Sequence, residues 1–308
     1  MFKFNFDVEA ESSEDPEALK TDIFSKQENS EERRESGNTE VTEWYQSEKV
    51  KPLDNLISTM DFYEMNAKEM EVGKTAIKHL VAGFLLEDLK EQSHLVNLDL
   101  RKSEEKHSDL ISGVYEGGAK IWECTEDLLL YLSEKYENSF WKEKSVLDLG
   151  CGCGLLGIYA MKHGALVDFQ DYNKDVLEYI TYPNIMLNLD DSLSEDEKLK
   201  FLDKSTTLYS GDWTHFAELT RDEEKYDVIL TSETIYNINN QQKLLETFAG
   251  RLKSEGVVLV AAKSHYFGVG GGLEQFSESI RLGNVFQSES VWQAEENLKR
   301  GILQLQFK

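Results

Sequence analysis

A chain of 308 residues, 40% hydrophobic and 30% charged, is long enough for one sizeable domain with an appendage and for a well-buried core. Its 58 acidic against 33 basic side chains give a formal net charge of −25, which repels nucleic-acid phosphates and favours a basic partner. Three cysteines, two of them in Cys151-x-Cys153, make no disulfide framework, Met1–Asp7 lacks the apolar run of a signal peptide, and Leu80–Leu86 is too short to span a bilayer, so a cytoplasmic or nuclear chain with reduced thiols is expected.

Residues 1–72 carry 19 acidic and 8 basic side chains, a net of −11. Glu9–Val41 has too few large apolar residues to offset its ordering entropy, so residues 1–52 read as an acidic, largely disordered arm. Phe2, Phe4 and Phe6 alternate with polar residues, as in a short edge strand or a docking peptide. Residues 53–107 form a partly helical extension whose periodicity Gly73 and Gly83 interrupt.

From residue 108 to 308 strand and helix patterns alternate. Ile121–Tyr136 has helical apolar spacing, Ser145–Leu149 is a buried strand ending in glycines, and Leu155–His163 is a helix closed by Gly164. Strands follow at Leu166–Gln170, Thr207–Ser210, Tyr226–Thr231, Val257–Ala262 and Gly301–Phe307. Helices are expected at Lys174–Ile180, broken by Pro183, at Gln241–Leu252 and near Leu273–Ile280, with a short acidic linker at Leu189–Lys204. This order predicts an α/β fold: a doubly wound, mostly parallel sheet with an antiparallel hairpin at one edge.

The chemistry centres on Val146-Leu-Asp-Leu-Gly-Cys-Gly-Cys-Gly154. Gly150, Gly152 and Gly154 let the backbone approach a ligand at the strand ends. Gly152-Cys-Gly-Leu-Leu-Gly157 also satisfies the dinucleotide fingerprint, a weak signal by itself. Asp148 argues against it, because a carboxylate there suits an amino or sulfonium group better than a pyrophosphate. An acid followed by three alternating glycines is the S-adenosylmethionine pattern. Asp171, about twenty residues on, is placed to accept from ribose hydroxyls. Asp212 is placed to accept from an adenine amino group, and Trp213 to stack on the ring. Glu233 and Tyr236 follow the strand Tyr226–Thr231, where ligands bind in such sheets.

These residues resemble the seven-stranded, S-adenosylmethionine-dependent protein methyltransferases that modify lysine or histidine side chains. Ser108-Asp-Leu-Ile-Ser-Gly-Val-Tyr-Glu-Gly-Gly-Ala-Lys-Ile-Trp-Glu-Cys-Thr125 and Lys263-Ser-His-Tyr-Phe-Gly-Val-Gly-Gly-Gly272 resemble, more narrowly, signature segments of the histidine protein methyltransferase family. Its members methylate one histidine of a large-subunit ribosomal protein. The resemblance implies a seven-stranded sheet, S-adenosylmethionine as cofactor, no metal, and a basic ribosomal-protein substrate attacked through the ring nitrogen remote from the backbone. A monomer that binds neither nucleic acid nor membrane is expected. It further implies that Ile121, Trp122, Glu123, Cys124 and Thr125 line the cofactor. Gly150 and its neighbours would hold the methionine part, Gln170, Asp171 and Tyr172 the ribose, Gly211, Asp212 and Trp213 the adenine, and Ser232 would lie beside the methyl group.

A neutral imidazole has an unperturbed pKa near ~6.5, so the substrate needs alignment and a fixed tautomer more than a strong base. Glu233 or Asp212 could accept the second ring N–H, and Tyr236 would wall the pocket. His265, Tyr266, Phe267, Gly270 and Gly271 are expected to touch substrate, the glycine run being either a clamp or a tight connector. A lysine methyltransferase of the same fold and a non-catalytic ribosome-assembly binder are the competing readings.

Overall fold

The computed structural model describes residues 44–91, 98–100, 102, 110–111, 113–294 and 299–308. The arm at residues 1–43, with its Phe2-Phe4-Phe6 alternation, lies outside the described residues.

The strands are β1 (Glu48–Val50), β2 (Ala67–Val72), β3 (Thr75–Leu80), β4 (Ser145–Leu149), β5 (Leu166–Asp171), β6 (Leu208–Ser210), β7 (Tyr226–Ser232), β8 (Leu252–Lys263), β9 (Phe286–Gln293) and β10 (Arg300–Phe307). Eight of them form one sheet in the order β1-β6-β5-β4-β7-β8-β10-β9, and β2 and β3 form a separate hairpin. Neighbours from β6 to β8 run parallel, while β10 is antiparallel to both β8 and β9, giving the expected edge hairpin. Strand order reverses at β4, which has β5 on one side and β7 on the other. The carboxyl ends there form the crevice in which open α/β sheets bind ligands.

The sheet has eight strands rather than seven because β1 pairs antiparallel with β6. Residues 48–50, placed in the expected arm, therefore join the sheet, with Val50 buried. Three residues are too few for alternation to announce them. The partly helical extension holds helices at Met60–Met65 and Ala82–Glu91, with the hairpin β2–β3 between them around Gly73, where the helical periodicity breaks. Asn184 Oδ1 accepts from Leu80 N at 2.8 Å, while Asn188 bonds both Lys78 N and Lys78 O, so side chains satisfy the edge of β3.

Pro183 does not break its helix. Lys174–Val176 continues through a π turn at Leu177–Thr181 into Tyr182–Leu187, and Pro183 falls at the start of that last segment, where its missing N–H is tolerated. The acidic linker contains a helix, Glu195–Ser205, started by a capping box between Ser194 and Glu197.

Apolar side chains cover both faces of the parallel strands. One face packs against the helices Glu123–Lys135 and Leu155–Lys162 around Trp141, Tyr159 and Phe169, the other around Phe216, Phe248 and Phe276. Asp227 ties the opposite sheet end together, accepting from Ser145 N and from Lys253 Nζ, each at 2.9 Å.

Candidate active site

A cleft of about 880 Å³, counting its open side, lies over the carboxyl ends of β4 to β7. Its floor is the glycine turn. Gly150, Gly152 and Gly154 have φ of +66°, +49° and +75°, a region that strains other residues. A Cβ on Gly152 would meet Gly118 O at 2.7 Å, so the turn also packs directly on the main chain of the Tyr115–Gly118 segment. Thr181 Oγ1 donates to Gly152 O at 2.7 Å, which shows what the π turn positions.

Asp148 is buried, and its Oδ2 accepts from Gly157 N at 2.8 Å. Burial pushes its carboxyl up to about 8, so in the ligand-free protein it is mostly protonated at neutral pH; a cation in the cleft would lower it again. Asp171 Oδ2 accepts from Gly152 N at 2.9 Å and Oδ1 from Asn173 N at 3.0 Å. Burial raises its carboxyl to about 6.

Gln170 is fully buried and lies behind the cleft: its amide donates to Gly211 O at 2.7 Å and accepts from Trp213 Nε1 at 3.0 Å. It braces the β5 and β6 ends against each other. Tyr172 lines the cleft and donates to Gly113 O at 2.9 Å. Asp212 lines it too, but its oxygens are engaged: Oδ1 caps a helix through Thr214 N at 3.0 Å, and Oδ2 pairs with Lys243 Nζ at 2.8 Å.

The end of the cleft over β7 is built from side chains. Glu233 is buried with a left-handed backbone, φ +59°, stabilised by its N–H donating to Ala261 O at 2.9 Å. Tyr266 Oη donates to Glu233 Oε2, while Oε1 is buried without a hydrogen-bond partner, 4.0 Å from Lys263 Nζ. Tyr236 Oη donates to Glu116 Oε2, and Glu116 Oε1 accepts from Gly113 N at 2.7 Å. Burial pushes the Glu116 carboxyl up to about 7. The two phenol rings meet edge to face at 6.3 Å, so two carboxyl–phenol pairs stand side by side. Thr125 Oγ1 donates to Ser232 Oγ at 3.1 Å beside them.

Of the residues expected from sequence, the cleft brings together Ile121, Trp122, Thr125, Asp148, Gly150, Gly152, Asp171, Tyr172, Gly211, Asp212, Trp213, Ser232, Glu233 and Tyr236. Glu123 instead sits half-exposed, 3.6 Å from Lys263 and 3.9 Å from Arg300, and Cys124 is buried in the core. His265 and Phe267 are exposed outside the cleft, with rings 5.0 Å apart. Tyr266 reaches the site only through Glu233. Gly270 and Gly271 belong to a tight connector: Gly271 N donates to Tyr236 O at 3.0 Å, and a Cβ on Gly271 would lie 2.2 Å from Ile235 O.

Sequence reasoning missed Glu116, Gly118, Asn240 and Trp44 as lining residues. Glu116 and Gly118 stand inside a segment already singled out for its likeness to a family, which was the available signal. Trp44 and Asn240 had none.

Five carboxyl groups and one lysine line the cleft, and a cation bound there would draw the raised Asp148 and Glu116 into their charged forms. That charge fits a cationic ligand carrying an ammonium and a sulfonium and would repel a pyrophosphate, so the lining disfavours the dinucleotide alternative. The glycine floor at positive φ leaves bare backbone facing such a ligand.

The family model described as lysine methyltransferase matches residues 86–269. The chain is 46% identical over 229 residues to the histidine protein methyltransferase 1 homolog of Bos taurus, covering 68% of this chain and 60% of that protein. It is 48% identical over 223 residues to the one of Mus musculus, covering 67% and 61%. With the one of Dictyostelium discoideum it shares 40% over 191 residues, covering 62% and 57%. The chain thus spans about three fifths of the length of these relatives.

Proposed function

Because the chain belongs to the lysine methyltransferase family, we propose that it transfers a methyl group from S-adenosylmethionine to a histidine ring nitrogen, the one remote from the backbone, of a basic large-subunit ribosomal protein. The observation that carries histidine over lysine is the 40–48% identity to proteins named for histidine methylation. Bound in the cleft, S-adenosylmethionine supplies a sulfonium-activated methyl group.

The residues of this chain do the rest. The Gly150–Gly152 backbone and Asp171 fix the donor, and the cleft's carboxylates favour its positive charge. Glu233 Oε1 is a buried acceptor with Lys263 Nζ 4.0 Å away but no hydrogen bond, a deficit of about 1–3 kcal/mol that a substrate N–H would relieve. Accepting the N–H of the second ring nitrogen there leaves the first nitrogen with the lone pair that attacks. Tyr236 donates its proton to Glu116, so the phenol oxygen turns lone pairs toward the charge that builds on the imidazole. The one ring proton the cationic product must lose is the N–H held by Glu233, while Glu116, its carboxyl raised to about 7, keeps Tyr236 in this orientation as an acceptor when ionised.

A net charge of −25 would attract a basic ribosomal protein and speed encounter at low salt. Such a substrate is met in the cytoplasm and nucleus. The family's description favours one second reading, transfer to lysine, in which an ammonium must first lose a proton. Incubation with isotope-labelled S-adenosylmethionine and large ribosomal subunits, followed by residue-level mass mapping, separates the two. Label on a histidine is expected; label on lysine alone would replace this reading with the second.

A further inference from the structure

We infer that Trp44 is a cofactor-binding residue, carried by a strap of residues 44–50 that closes the adenosine side of the cleft and presents the indole to the purine. The inference rests on the reading of the cleft as an S-adenosylmethionine site. It assigns a binding role to a segment outside the stretch matched by the family model, residues 86–269.

Trp44 lines the cleft together with Tyr172, Gly211 and Asp212. Its ring is clamped: Lys243 Nζ sits 3.7 Å from the ring centroid while pairing with Asp212 Oδ2 at 2.8 Å. With an ammonium on one face, the indole is oriented before any ligand arrives, which lowers the ordering cost of binding.

The strap is latched on the same corner. Tyr45 stacks on Tyr172 with centroids 4.8 Å apart and planes 7° from parallel. Tyr45 O accepts from Asp212 N at 3.0 Å, and Tyr45 N donates to Tyr172 Oη at 3.3 Å. β1 then adds to the sheet edge along β6. Gly211 explains itself here: its φ is +99°, and a Cβ would lie 2.5 Å from Gln46 O, so only glycine lets the strap cross. The segment that completes the pocket is thus tied to Tyr172, Gly211 and Asp212, the residues at its ribose and adenine corner. An aromatic face clamped beside a purine site serves a base better than it serves packing, since it stays half-exposed at the cleft edge.

The test is calorimetric titration of S-adenosylhomocysteine into the full chain, wild type, Trp44→Ala and Trp44→Phe, with the melting temperature of each unliganded protein. Trp44→Ala should weaken binding by roughly tenfold or more while melting close to wild type, and Trp44→Phe should recover affinity to within roughly threefold. Wild-type affinity in Trp44→Ala overturns the inference. So does a loss that Phe does not rescue and that tracks a drop in melting temperature, because the role would then be structural. A wild-type protein that binds no S-adenosylhomocysteine would overturn the reading of the cleft itself.

Discussion

Over β4 and β5 the cleft floor is glycine main chain, Gly150 and Gly152 at positive φ with Gly152 so close to Gly118 that a Cβ would fall 2.7 Å from its carbonyl oxygen; over β7 it is side chains, Tyr236 bonded to Glu116 and Glu233 bonded to Tyr266 behind it. Main chain holds a ligand by shape and tolerates few substitutions. Side-chain pairs set charge and proton position, and can be altered singly without moving the backbone. Binding and turnover should therefore separate between the two ends.

The largest effect is expected where shape is lost. Gly152→Ala forces a Cβ into Gly118 O at an unfavourable φ, and should weaken S-adenosylhomocysteine binding by roughly a hundredfold in calorimetry, with a stability loss of about 1–3 kcal/mol by denaturant melt. Glu233→Gln keeps the size of the side chain but places an amide where an acceptor is required. Turnover on the native substrate should fall by roughly a hundredfold with cofactor affinity unchanged, and full turnover would remove Glu233 from its orienting role.

Glu116→Gln should be milder, about a tenfold loss of kcat, and it should alter the pH profile. With the Glu116 carboxyl raised to about 7, wild-type kcat should climb as pH rises through that value, and the variant should lose that limb. Smallest is Asp148→Asn, whose amide oxygen can still accept from Gly157 N. The folded state raises Asp148 to about 8 from an ordinary value near ~4, so it holds the proton more tightly than the unfolded chain. The stability this gives is complete below pH ~4 and is lost as pH rises through about 8. Between those limits the wild-type melting temperature should fall more steeply than that of the variant, by a few degrees over the range.

The same contrast explains what could be read from the residues alone. The turn from Val146 to Gly154 is contiguous and its glycines announce their geometry, so strand, turn and helix were all legible, as was the alternation that made the sheet parallel. The other end was only half legible. Glu233 and Tyr236 follow a strand, but Glu116 gains its meaning from Tyr236, 120 positions away, a contact no local pattern encodes. The hairpin at 67–80 was missed for a similar reason: Asn184 and Asn188 complete its edge from more than a hundred residues away. Pro183 misled because a π turn before it absorbs the disruption that proline brings to a regular helix. The glycines after Lys263 offered a clamp or a connector, and main-chain bonds from Gly271 to Tyr236 and Tyr266 make them a connector.

The division of labour across the cleft is tested most directly by titrating S-adenosylhomocysteine into wild type, Gly152→Ala and Glu233→Gln side by side. Wild type and Glu233→Gln should bind with matching affinity while Gly152→Ala loses it. Equal weakening in both variants, or wild-type affinity in Gly152→Ala, would contradict the account.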